Sequence, residues 1–183
     1  MNSIGKIVID ACVLYPTVMR EIVLGAAAQG HFQPLWSTRI LEEWARAAQK
    51  LGPTGEIQAR GEIALLRAAW PDAELPPAPE IEERLWLPDA ADRHVLAVAI
   101  AGSARAILTL NARDFPRREL AGEGLERLDP DQFMRALWQA DPASISRVAD
   151  DVLDKANRLS DGDWQMRPLL KKARLPRLAK AVS

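Results

Sequence analysis

Lys6-Ile7-Val8-Ile9-Asp10 decides the fold class. Three successive β-branched residues read as a short buried strand, and a carboxylate stands where it ends. Downstream, Thr17 to Gln29 reads as a helix stopped by Gly30. Phe32 to Trp36 reads as a second strand. Ser37 suits the cap of a helix running to about Leu51, on which Leu41, Trp44, Ala45 and Ala48 share an apolar face; Gly52-Pro53 ends it. Glu56 to Trp70 is a further helical stretch, and the four prolines between Pro71 and Pro79 mark a connector. Asp89 then caps a helix carrying Val95, Leu96, Ala99 and Ile100, which stops at Gly102 and leads into a strand over Ala106 to Thr109. Strands that alternate with helices in this way imply an α/β fold with a mostly parallel sheet. Pro130 to Ala140 and Pro142 to Leu159 read as two more helices. A basic segment, broken up by Pro168 and Pro176, closes the chain.

At 183 residues the chain has room for one domain with an appendage and for a core that needs no covalent staples. Its apolar share of 48% and charged share of 27% are those of a globular protein rather than a disordered one. Cys12 is the single cysteine, which excludes an internal disulfide and a cysteine-based zinc site, and the two histidines are far apart. These features fit a reducing cytoplasm. The apolar run Ile7 to Leu14 is interrupted by Asp10 and shows no signal-peptide cleavage pattern, and no stretch is apolar for long enough to cross a membrane. No phosphate-binding glycine loop, dinucleotide fingerprint, nucleophile elbow or H-E-x-x-H pair is present, which argues against the enzyme classes built on them.

The formal net charge of -1 hides an asymmetry. Arg167, Lys171, Lys172, Arg174, Arg177 and Lys180 lie beyond Trp164 with no acid among them, so the body of the chain is acidic. A polyanionic substrate must therefore be attracted by local patches.

In α/β sheets ligands gather outside the carboxyl ends of the strands. Asp10 ends the first strand, and Asn111 and Asp114 follow the strand Ala106 to Thr109. Asp89 and Asp92 open the helix before that strand, while Glu42 and Glu43 lie in the second turn of the helix begun by Ser37. Carboxylates gathered in one place repel each other, and a divalent cation relieves the repulsion. Hard oxygen donors suit Mg²⁺ or Mn²⁺, which can activate water and stabilise charge on a phosphate. The chemistry implied is phosphodiester hydrolysis.

Four segments carry a resemblance to a known family. Ile7-Val8-Ile9-Asp10-Ala11-Cys12-Val13-Leu14 resembles the opening of PIN domains. Ser37-Thr38-Arg39-Ile40-Leu41-Glu42-Glu43 resembles their second motif, with a serine six positions before the metal-site glutamate. Asp89-Ala90-Ala91-Asp92-Arg93-His94-Val95-Leu96-Ala97 is similar to the third, and Thr109-Leu110-Asn111-Ala112-Arg113-Asp114-Phe115 to the fourth. The four stand in family order and span roughly residues 4 to 128.

The resemblance implies a three-layer α/β/α PIN-like nuclease domain over residues 1–128 and a helical C-terminal region with a basic tail over 129–183, as in the longer VapC-like proteins. It implies a catalytic metal site of Asp10, Glu43, Asp92 and Asp114 holding Mg²⁺ or Mn²⁺, with Thr109, Asn111 and Asp89 in secondary roles. It further implies an endoribonuclease that is the toxin of a toxin–antitoxin pair and forms a homodimer. A small antitoxin protein would restrain it, inserting a segment whose Arg pairs with the carboxylates. Cys12 departs from the family, which usually has Asn, Ser or Thr at that position.

Simpler readings stand beside these. Asp89 is expected to be an N-cap, and Asp92 alone would fit a helix-dipole acid. Glu42 and Glu43 would ordinarily be solvated, and the spacing from Ser37 selects Glu43. Asn111 and Asp114 could simply make a loop, with Phe115 packed into the core. His94 is expected at the helix surface or partly buried, Cys12 as a small core residue, and the tryptophans in packing. The basic tail reads equally as a loosely ordered, solvated terminus or as a contact to RNA phosphates. Two rival functions also remain: a PIN-like nuclease that works without an antitoxin, and a non-catalytic RNA-binding or scaffold protein.

Overall fold

The computed structural model describes residues 4–160 and 162–182. Its centre is strand β1 (Lys6–Ile9), whose Ile7, Val8 and Ile9 are wholly buried. Three successive buried apolar residues must be covered on both faces of the strand, which is the condition of a parallel sheet. The short helix α1 (Ala11–Leu14) and then α2 (Thr17–Ala28) lead to β2 (Gln33–Ser37). Helix α3 (Thr38–Ala47), a 3-10 turn over Ala48–Leu51 and α4 (Gly55–Ala69) lead to β3 (Glu74–Leu75). Then come α5 (Pro79–Arg84), a 3-10 turn over Ala90–Asp92, α6 (Arg93–Ala101) and β4 (Ala106–Leu108). Helix α7 (Arg117–Gly122) precedes the last strand, β5 (Glu126–Leu128).

All five strands are parallel, in the order β3-β2-β1-β4-β5. Val8 is in register with Leu35 on one side and Ile107 on the other. The chain builds outward from β1 through β2 to β3, then crosses back to lay β4 on the opposite edge of β1. Right-handed crossovers therefore put α2 to α4 on one face of the sheet and α6 and α7 on the other. The reversal between β1 and β4 is a topological switch point, where an open α/β sheet forms a crevice.

Strands β3 and β5 lie in segments without a strand signature, and both are recruited at the edges of the sheet. The helix expected to run from Ser37 to about Leu51 is α-helical to Ala47 and tightens into the 3-10 turn, and Ser37 caps it by accepting from the amide of Ile40 at 3.3 Å. Arg20 on α2 is buried. Its guanidinium donates to the Leu14 carbonyl at 2.6 Å and to Glu62 of α4 at 2.5 Å, and stacks over the Trp44 ring at 4.4 Å. It thus ties three helices together beneath the end of α1.

Among the described residues four helices follow the sheet: α8 (Pro130–Ala140), α9 (Pro142–Leu159), α10 (Met166–Lys172) and α11 (Pro176–Ala181). Helix α9 lies along α2, close enough that a Cβ on Gly25 would stand 2.5 Å from Val148 Cγ1. The basic tail is not a loose terminus. Leu169, Leu170, Leu175 and Leu178 are buried, and Asp131 of α8 accepts from the amides of Arg177 and Leu178 at 3.0 Å, which caps α11. Pro168 falls in the first turn of α10 and Pro176 begins α11, positions where proline costs no helical hydrogen bond. One apolar cluster runs from Ile7 through to Leu178.

Candidate metal centre

At the switch point the backbone first leaves the sheet at Asp10, whose amide still bonds to the Leu108 carbonyl at 3.1 Å. The Asp10 side chain is 8% exposed. Thr109, just past β4, donates its hydroxyl to Asp10 Oδ2 at 2.6 Å, and the Cys12 thiol donates to the same oxygen at 3.1 Å. The Thr109 oxygen also accepts from the Asn111 amide at 2.9 Å, and Cys12 Sγ accepts from the Leu110 amide at 3.3 Å. The two loops after β1 and β4 are therefore laced together around one carboxylate.

Burial, followed by the neighbouring Asp10 charge, pushes the Cys12 thiol up to about 12. It stays protonated, acts as a donor to Asp10, and is a poor nucleophile.

Asp92 ends the 3-10 turn before α6, and the Asn111 amide nitrogen donates to its Oδ2 at 3.1 Å. Its carboxyl is pushed up to about 6 by burial first, then by the charges of Asp10, Asp89, Asp114 and Glu43. Four carboxylates thus act on a fifth, Asp92. Asp89, Asp92 and Asp114 bring one oxygen each within 4.8 Å of one another. Asp89 is at the same time the cap of its turn, accepting from the Ala91 amide at 2.9 Å.

Helix α3 contributes Glu43. The neighbouring Glu42 turns away and pairs with Arg60 at 2.9 Å and Arg46 at 3.3 Å, whereas Glu43 faces the crevice. Position 94 corrects an expectation: His94 is buried at 3% exposure, because it sits on the inner face of α6. Its Nε2 lies 2.8 Å from Glu43 Oε1, although neither ring nitrogen makes a hydrogen bond among the described residues.

Asp10, Cys12, Glu43, Asp92 and Asn111 line one open cavity of about 690 Å³. Asp114 and Asp89 stand beside Asp92 without lining it. All the residues expected at the site thus meet at one end of the sheet. Two basic residues that the motifs do not reveal, Lys50 and Arg174, also line the cavity.

The donor set consists of carboxylate oxygens with a hydroxyl and an amide in support, which fits a hard divalent cation. Burial first, and then the neighbouring carboxylates, raise the Asp92 carboxyl, and a bound cation would offset both.

A parallel α/β sheet with a carboxylate cluster at its switch point defines an α/β protein with a candidate divalent-cation site. The PIN domain family matches residues 6–113, and the chain belongs to that family, whose members are generally metal-dependent nucleases. No curated protein and no solved structure matches it.

Proposed function

We propose that the protein is a Mg²⁺- or Mn²⁺-dependent endoribonuclease of the VapC type, the toxin of a toxin–antitoxin pair. The observation that carries this reading is the convergence of Asp10, Glu43, Asp92 and Asp114 on one locus beside an open cavity. In this reading Asp10 and Asp92 hold the ion most directly, Glu43 binds it through water or orients the attacking water, and Asp114 completes the negative pocket. Thr109 and Cys12 fix the Asp10 carboxylate, and Asn111 fixes Asp92. A divalent ion bound there supplies Lewis acidity toward the phosphate and the water that attacks it. The chain's own residues orient that ion and admit the substrate through the open side of the cavity.

A homodimer and a small antitoxin whose Arg enters the acidic pocket complete the proposal. The acidic surroundings favour a basic partner segment. Cytoplasmic RNA is the substrate class.

The test is cleavage of total cellular RNA by purified protein with Mg²⁺, with Mn²⁺ and with EDTA, beside Asp92→Asn. Discrete metal-dependent fragments that vanish in the variant are expected. Folded wild-type protein that is free of antitoxin and silent with both metals would replace this reading with that of a non-catalytic RNA-binding protein.

A further inference from the structure

The C-terminal helices bring a cation to the acidic cavity. Arg174 lines it together with Asp10, Glu43 and Asp92, although it lies far beyond the segment that matches the PIN family. Two observations show that the turn carrying it is held firmly, and a third that its charge is free to bind.

The first is backbone conformation. Arg174 has φ +63°, in the left-handed region. It follows Ala173, the C-cap of α10, and stands where a helix usually ends on glycine. The amide of Leu175 bonds back to the Leu170 carbonyl at 2.9 Å, and that of Arg174 to the Lys171 carbonyl at 3.0 Å, which closes the terminal loop. A side chain with a Cβ is costly there, so the position gives up stability that glycine would restore.

The second is anchoring. Leu170 and Leu175, on either side of the turn, are wholly buried, and Asp131 caps the helix that follows. The loop cannot swing away from the cavity without opening the core.

The third is charge. Among the described residues the Arg174 guanidinium has no ion pair or side-chain hydrogen bond, although carboxylates line the same cavity. It is exposed and free to bind. A nuclease site made of carboxylates repels its own polyanionic substrate, and an unpaired guanidinium carried on an anchored turn beside the cavity offsets that repulsion while its paired donors match phosphate oxygens.

We propose that Arg174 grips a backbone phosphate of the bound RNA next to the metal locus, so that the C-terminal helices complete the substrate site. The inference rests on the nuclease reading for its substrate, but its test separates the two.

Binding of a short mixed-sequence single-stranded RNA, fluorescein-labelled, is measured by anisotropy in Ca²⁺ for wild type, Arg174→Gly, Arg174→Lys and Arg177→Ala. Cleavage of the same RNA is measured in Mn²⁺, and each Tm is recorded. Arg174→Gly is expected to weaken binding and raise KM about ten-fold, the size of effect expected for one charge-assisted contact. It should also flatten the dependence of log Kd on log salt by about one contact and raise Tm as the backbone strain is released. Arg174→Lys should fall between the two, and Arg177→Ala should bind as wild type does. Arg174→Gly with a raised Tm but unchanged affinity and salt dependence would overturn the proposal, as would wild-type protein that does not bind the RNA. Wild-type protein that binds through Arg174 without cleaving would leave the phosphate contact standing and remove the nuclease reading.

Discussion

Asp10 shows how a departure from a family pattern is absorbed at the level of single residues. Cysteine is a weak donor in place of the usual amide or hydroxyl. Thr109 compensates, arriving from the neighbouring strand end with the shorter bond to the same oxygen. Thr109→Val is therefore expected to weaken Mn²⁺ binding about ten-fold, while Cys12→Ser leaves it equal or tighter; titration calorimetry reads both. Asp92 makes a prediction about pH. Its folded carboxyl titrates near 6, above the ordinary 3.8, so the folded chain holds this proton more tightly than the unfolded one. Stability from this group is then fully present below about 3.8 and lost as the pH rises toward 6. In EDTA at pH 7.5, Asp92→Asn should be the more stable protein, by about 1 kcal/mol after solvent screening of a half-buried carboxyl. The gap should close near pH 4, a crossover that urea melts at the two pH values would detect. Addition of Mn²⁺ should reverse the order at neutral pH, because only wild type gains from the ion. That Asp10, Glu43, Asp92 and Asp114 would come to one end of the sheet was legible in the sequence, because strand ends and helix caps placed most of them there and the family resemblance singled out Glu43 over Glu42. Arg174 and the buried state of His94 were not, since both depend on packing between segments distant in the chain.

Periodicity identified the long elements correctly and failed where an element is too short to have a period. Helices α2, α4, α8 and α9 carry several turns of apolar pattern and fall close to the expected bounds. Strand β3 has two residues beside a proline-rich connector and β5 has three, and each exists because a neighbouring strand offers unpaired backbone. In the tail the prolines suggested breakage, but Leu169, Leu170, Leu175 and Leu178 supplied apolar surface that a solvated terminus would not bury. Sequence alone does not reveal which face of α2 receives α9, though Gly25 hints at a close approach. Gly25→Ala places a methyl against Val148 with no room for it. An overpacked helix contact of this kind is expected to cost about 1–3 kcal/mol, read as a lowered urea midpoint with an unchanged slope. Gly25→Ala combined with Val148→Ala should recover part of the loss, which separates crowding at this contact from a general intolerance of α2.

On the scale of the whole molecule, the alternation of strands and helices established the α/β class but not how far the last fifty residues belong to it. The expected division near residue 128 separates a nuclease domain from a helical region. The apolar cluster passes from the sheet through α2 to α9, α10 and α11, so the two share one core. Leu170, Leu175 and Leu178 are wholly buried, and removing the segment that carries them uncovers their partners as well. Burying a leucine contributes about 2 kcal/mol, so three amount to roughly 6 kcal/mol, comparable to the entire 5–15 kcal/mol stability of a typical domain. A chain ending at Gln165 is therefore expected to lose fixed packing rather than to persist as a smaller nuclease. Far-UV circular dichroism should keep much of its helical signal, while the near-UV bands of buried Trp36 and Trp44 collapse and a hydrophobic dye binds. In the full chain the two spectral regions should melt together in urea, as one cooperative unit. A truncated protein with sharp near-UV bands, a native midpoint and intact Mn²⁺ binding would instead mean that the sheet and its acids are self-sufficient. The C-terminal helices would then contribute to the substrate site alone and not to the fold.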